Sequence, residues 1–76
     1  MKDTPGNTSD VHFILQGEPA RLPPGSSLTD LVNQQQLQGK RFALELNGSI
    51  IPHSEFSSTG ISSHDLIEIV HAVGGG

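Results

Sequence analysis

The last residues of the chain carry its clearest candidate for chemistry. Gly74, Gly75 and Gly76 end the sequence and leave the terminal carboxylate on a stem without side chains. Because glycine has no Cβ, such a stem can enter a cleft too narrow for any other residue. Six extended residues, 71–76, could carry the carboxylate roughly 20 Å from the preceding strand. These residues alone leave two interpretations open: a frayed chain end, and a tail that delivers its carboxylate to another protein.

Two other sets of residues have the types needed for chemistry, but not the arrangement. His12, His53, His64 and His71 follow no ligand spacing and have no cysteine beside them, so we expect no metal site. Residues 62–65, Ser-Ser-His-Asp, contain the members of a hydrolytic triad. Since triads are built from separated segments, this run predicts a turn. We therefore expect no catalytic residue and no bound cofactor.

Size and composition restrict the function further. The chain has 76 residues, eight acidic side chains against four basic ones, and no cysteine. A domain this small buries only about 60% of its unfolded surface, which leaves little room for an internal active site and argues against an enzyme. The basic residues are scattered, so nucleic acid is a poor candidate partner. The polar first ten residues resemble neither a signal peptide nor a membrane span, and we expect a cytoplasmic location.

The elements that would position the tail follow from the hydrophobic pattern. Residues 1–9 offer nothing to bury and predict a disordered leader. Residues 10–71 predict one folded domain, and residues 72–76 a flexible glycine-rich tail.

Within the domain, alternating apolar residues predict a first strand at 11–15 and a second at 19–22, joined as a hairpin with Pro19 at the start of the second strand or on an edge of the sheet. Ser27 predicts the N-cap of a helix that begins at Leu28. We expect this helix to run nine or ten residues, with Gly39 able to end it.

The second half of the domain predicts three more strands. Residues 42–46 and 49–51 flank Asn47-Gly48, a strong signal for a two-residue hairpin. Residues 53–63 look irregular, with Phe56 and Ile61 as core anchors. The nearly continuous apolar run at 66–70 suits a strand in the middle of a sheet. The predicted fold is α+β, a mixed sheet of four or five strands with one main helix packed across it.

This element order, with a central last strand leading into glycines, resembles the ubiquitin-like β-grasp domains. More specifically, the chain resembles the sulfur carrier protein of thiamine biosynthesis, the ThiS family. The resemblance is carried by ALELNGSIIP at residues 43–52, DLIEIVHAVGGG at residues 65–76 and GSSLTDL at residues 25–31. Three features depart from the family pattern: His53 where arginine is common, His64 where glycine is common, and a longer leader before Asp10.

The resemblance implies a chemistry for Gly76. An E1-like adenylating enzyme would use Mg-ATP to activate its carboxylate, and a sulfur donor protein would then supply the sulfur of a thiocarboxylate. Thiazole synthase would take that sulfur to form thiazole. Gly74 and Gly75 would thread into the partner sites, and Val73 would be the last side chain able to anchor the tail. The chain would act as a carrier and co-substrate.

Strand alternation also predicts a docking face on the side of the sheet away from the helix. Apolar residues rimmed by carboxylates would suit a partner that supplies basic side chains. Half-exposed apolar residues are also ordinary on a small sheet, and that alternative stays open. The predicted face consists of Ile14, Ala43, Glu45, Leu66, Glu68 and Val70.

Two alternative functions stay open at this point. One is a sulfur carrier of another pathway, such as the small subunit of molybdopterin synthase, whose tail usually follows a proline-containing apolar stretch that is absent here. The other is a ubiquitin-like interaction module that is never modified.

Overall fold

A computed structural model describes residues 10–71 of the chain. The predicted leader and glycine tail lie outside this range. The elements, in order, are β1 (Val11–Leu15), β2 (Glu18–Leu22), α1 (Leu28–Gln34), β3 (Phe42–Leu46), β4 (Ser49–Ile51), a 3₁₀ helix (His53–Ser58) and β5 (Leu66–His71). The strands form one sheet in the order β2-β1-β5-β3-β4. β1 and β5 are parallel and the other pairs are antiparallel. This is the ubiquitin-like β-grasp arrangement, as predicted.

The core lies between the helix and one face of the sheet. Leu28 and Leu31 of α1 are fully buried and pack with Phe13, Leu44 and Ile67 from the three central strands. Burying a side chain of this size contributes about 1.5–3 kcal/mol. Strand alternation places eight apolar residues on the face toward the helix, and all of them lie in this core or pack against its edge: Val11, Phe13, Leu15, Phe42, Leu44, Leu46, Ile67 and Ile69.

The helix begins where the sequence predicts and ends earlier. The backbone N–H of Ser27 donates to Asp30 Oδ2 at 2.8 Å, so the Asp30 carboxylate caps the first turn. The predicted end at Gly39 is wrong, because α1 stops at Gln34 after seven residues. Gln36 then takes a left-handed φ of 58°, and the N–H of Leu37 donates to the carbonyl of Val32. This early turn brings Leu37 into the core.

The turn from β3 to β4 follows the Asn-Gly prediction. Asn47 and Gly48 both have positive φ, 52° and 90°, as a two-residue hairpin loop requires. The next stretch is more regular than predicted, since residues 53–58 form a 3₁₀ helix. The N–H of Glu55 donates to the carbonyl of Pro52 in its first turn. Phe56 and Ile61 are buried, which confirms both as core anchors.

The described range contains no helix long and apolar enough to cross a membrane.

Candidate functional site

β5 is the middle strand of the sheet and leads toward the predicted tail. It lies between β1 and β3 and ends at His71, beside Phe42 of β3. The position of β5 confirms the prediction of a central last strand. Val73, Gly74, Gly75 and Gly76 lie outside the described residues, so their role stays a prediction.

The pairing of the strands brings the six residues of the predicted docking face together. Ile14 is opposite Leu66, Ala43 is opposite Val70, and Glu45 is opposite Glu68. Directly paired residues share a face of the sheet. Their neighbours in the same strands, such as Leu44 and Ile67, fill the core, so these six residues form the open face, on the side away from α1.

The apolar side chains of the open face are accessible to a partner. Leu66 is 55% exposed and Val70 is 42% exposed. Ile50 of β4 is 56% exposed and lies opposite Glu45, so it extends the open face by one strand. Ile50 is not among the predicted residues of this face, although the two-residue Asn-Gly loop fixes its register and could have indicated it.

Two carboxylates occupy the middle of this apolar surface and not its rim, so the prediction of a rim of carboxylates is wrong. Glu45 and Glu68 lie directly opposite each other on β3 and β5. Like charges in this arrangement repel and destabilise the pair of strands. The other residue opposite Glu45 is the apolar Ile50. A basic side chain from a partner would relieve the repulsion, which makes the open face chemically suited to a basic surface.

The end of the sheet near His71 is covered by an aromatic cluster. His53 Nε2 lies 2.8 Å from the carbonyl oxygen of Phe42, and the two rings are 4.9 Å apart between centroids. The His53 ring also stacks on Phe56 at 4.6 Å. The exposed His53 ring therefore covers Phe42 and Phe56 at this edge of the core.

Residues 62–65 form the turn before β5 that the sequence predicts. The carboxylate of Asp65 accepts hydrogen bonds from the Ser62 N–H at 2.7 Å and from Asn47 Nδ2 at 3.0 Å. His64 takes a left-handed φ of 72°, the conformation that glycine adopts without strain. Asn47 Oδ1 also accepts the N–H of Leu66, so Asn47 joins the β3–β4 turn to the start of β5.

Within residues 10–71, no three histidine or carboxylate side chains cluster closely enough to hold a metal ion.

Gln16 makes a contact with β5 that the sequence does not predict. Its Oε1 accepts the N–H of Ile69 at 2.7 Å, and its Nε2 donates to the carbonyl of the same residue at 3.3 Å. The two residues are 53 positions apart, and no local pattern indicates the contact.

The chain is similar in sequence to several known proteins. The uncharacterized protein ycf40 of Porphyra purpurea is 37% identical over 67 residues, which cover 88% of this chain and 94% of that protein. The ycf40 protein of Pyropia yezoensis is 34% identical over 68 residues, or 90% of this chain and 96% of that protein. The sulfur carrier protein ThiS of Bacillus subtilis (strain 168) is 38% identical over 50 residues, or 66% of this chain and 76% of that protein.

The fold is also found in a solved structure. The crystal structure of the thiamine biosynthesis protein ThiS from Geobacter metallireducens superposes with a TM-score of 0.74 at 23% identity, covering 87% of this chain and all of that one. The ThiS family model matches residues 13–76, from the middle of β1 to the last glycine. Because this match covers more than half of the chain, the chain belongs to the ThiS family.

Proposed function

We propose that this protein is a sulfur carrier whose Gly76 is adenylated and converted to a thiocarboxylate for thiazole formation in thiamine biosynthesis. One observation carries the proposal: the family match runs through the terminal glycines, and only two residues of the sequence separate these from the end of the central strand β5. The name of the B. subtilis relative supports the sulfur carrier role. The proposed location is the cytoplasm.

The chemistry begins with an unreactive group. A terminal carboxylate is ionised at neutral pH, and as an anion it is a poor electrophile. In the proposed reaction, a carboxylate oxygen of Gly76 attacks the α-phosphorus of ATP and pyrophosphate leaves. A hydrosulfide equivalent from the sulfur donor then attacks the acyl carbon of the adenylate, AMP leaves, and a thiocarboxylate is formed. The E1-like partner supplies Mg-ATP and the catalytic groups.

The carrier contributes a reactive end and a surface that binds its partners. The open face lies on the same strand that leads to the tail, since Leu66, Glu68 and Val70 all belong to β5. A partner that covers these residues would hold the base of the tail against its own active site. Gly74 and Gly75 would then enter the catalytic cleft, and Val73 would make the last side-chain contact. The proposed partners are the E1-like enzyme, the sulfur donor protein and thiazole synthase.

Intact mass spectrometry tests the proposal. The carrier is incubated with an E1-like adenylating enzyme, Mg-ATP and a sulfide source, with the B. subtilis ThiS protein as positive control. We expect one oxygen-to-sulfur replacement confined to the C-terminal peptide. A chain extended by one residue beyond Gly76 should stay unmodified and folded. The proposal is wrong if the control protein is modified while this carrier is not.

A second experiment identifies the pathway. Expression of the carrier in a thiazole auxotroph that lacks its own carrier should restore growth without added thiazole. Growth only when thiazole is supplied, with a carrier that still forms a thiocarboxylate, would contradict the thiamine assignment and leave the sulfur carrier role intact.

A further inference from the structure

β5 extends beyond β1, its parallel neighbour in the sheet. β1 pairs with β5 only as far as Leu15, which is opposite Ile67. β5 continues to His71, and β3 follows it to that point along the other edge. Within the described part of the chain, residues 68–71 of β5 therefore have a strand on one side only. A strand edge without a backbone partner opens more readily than a paired one.

The side chain of Gln16 occupies the place of the missing strand. The backbone N–H of Gln16 donates to the carbonyl of Ile67 at 3.0 Å, which continues the parallel ladder by one bond. The Gln16 amide then bonds both the N–H and the carbonyl of Ile69, at 2.7 and 3.3 Å. A primary amide offers the same donor and acceptor as a peptide group. The side chain therefore extends the ladder to Ile69 after the chain itself has turned away toward β2.

We propose that Gln16 is a positioning residue for the reaction of the tail. By holding Ile69 in the sheet, it fixes the point from which the tail leaves. This inference rests on the proposed function, because it concerns delivery of the Gly76 carboxylate to a partner. The proposed role is indirect, because Gln16 acts through its two hydrogen bonds to Ile69.

The expected size of the effect follows from the number of residues between the last residue held in the sheet and the Gly76 carboxylate. This connecting stem comprises five residues (72–76) when β5 is held to His71 and nine (68–76) when β5 is open beyond Ile67. The effective concentration of a tethered group falls roughly as the −3/2 power of stem length, so this change lowers it about twofold to threefold. Loss of the Gln16 amide should therefore slow adenylation of bound carrier by about that factor.

The experiment compares Gln16→Ala with a matched control. Gln34 is also exposed, and its Nε2 donates to the carbonyl of Arg21 at 3.2 Å, so Gln34→Ala removes a similar bond that does not involve β5. Hydrogen exchange of the free carriers should show the amides of residues 68–71 close to the exchange rate of unprotected amides in Gln16→Ala alone, because the rate effect requires β5 to be open most of the time. Faster exchange at Ile69 only would show the loss of one acceptor and would overturn the ordering of β5. Single-turnover adenylation at saturating enzyme should be about twofold to threefold slower in Gln16→Ala alone, with the Kd for the enzyme unchanged.

Intermediate behaviour is expected for Gln16→Glu. This variant keeps an acceptor for the Ile69 N–H but loses the donor to the Ile69 carbonyl, so its Ile69 exchange and adenylation rates should lie between those of the original chain and Gln16→Ala. A merely structural role would lower thermal stability without changing the rate at saturating enzyme.

Each outcome decides a separate point. Unchanged exchange of Ile69 in Gln16→Ala overturns the ordering of β5 by Gln16. Faster exchange with an unchanged adenylation rate overturns the positioning role. If the unmodified sequence is not adenylated at all, the proposed function fails and the positioning role with it, while hydrogen exchange still decides whether Gln16 orders the strand.

Discussion

Truncating Leu66 to alanine should weaken partner binding and leave the fold intact. Leu66 keeps 55% of its surface exposed, and the remainder is already covered by its neighbours on the sheet. Full burial of a leucine side chain contributes about 1.5–3 kcal/mol. A partner that covers the exposed 55% would therefore gain about 1–1.5 kcal/mol from Leu66. Since 1.4 kcal/mol corresponds to a factor of ten, the loss should be roughly fivefold to tenfold in affinity.

The assay is steady-state adenylation, with carrier concentration as the variable. We expect KM for the Leu66→Ala carrier to rise roughly fivefold to tenfold while kcat stays the same, because the variant loses binding and keeps its tail. Thermal unfolding should change little. The contrasting variant is Leu44→Ala, at a fully buried residue of the neighbouring strand, which should lose about 2–5 kcal/mol of stability. An unchanged KM for Leu66→Ala would refute the assignment of the open face as the docking surface.

Three further variants test separate parts of the molecule. Deleting Gly76 should abolish thiocarboxylate formation without changing the melting temperature, and a modified deletion variant seen by mass spectrometry would contradict the tail assignment. Replacing Glu45, which faces Glu68, with glutamine should stabilise the isolated carrier by about 0.2–1 kcal/mol in urea unfolding. The same change should raise KM for the partner enzyme and make that KM depend less on salt concentration. A KM equal to that of the unmodified sequence would exclude a basic contact from the partner at Glu45 and Glu68. Asn47→Ala should cost about 1–3 kcal/mol in thermal unfolding, because it leaves the Leu66 N–H without its acceptor and places alanine at a φ of 52°.

Much of the fold follows from local patterns. β1 and β3 could be predicted because their apolar residues alternate along an amphipathic strand, and the β3–β4 loop because Asn47-Gly48 satisfies its positive φ angles. The start of α1 follows from Ser27 and Asp30. In each case the residues that determine the structure are close in sequence.

The features that could not be predicted depend on contacts between distant residues. Gln36 takes a left-handed conformation because Leu37 must reach the core, and only the packed structure reveals that requirement. The amide of Gln16 bonds Ile69 across the sheet, and nothing beside Gln16 in the sequence points to it. The open face was predicted from alternation, but its like-charged pair, Glu45 and Glu68, became visible only with the register of β3 and β5.

The parallel pairing of β1 with β5 has a consequence for the order of folding. Ile14 and Leu66 are neighbours in the sheet, although nearly the whole domain separates them in the chain. The two antiparallel hairpins, β1–β2 and β3–β4, are local and can form early, whereas β5 must be inserted between them and closes the longest loop. A nascent chain that has not yet extended past residue 71 therefore lacks the strand that joins the two hairpins. The strand that leads to the tail is the one that completes the sheet, so a partner that recognises the open face selects finished carriers over partly folded ones.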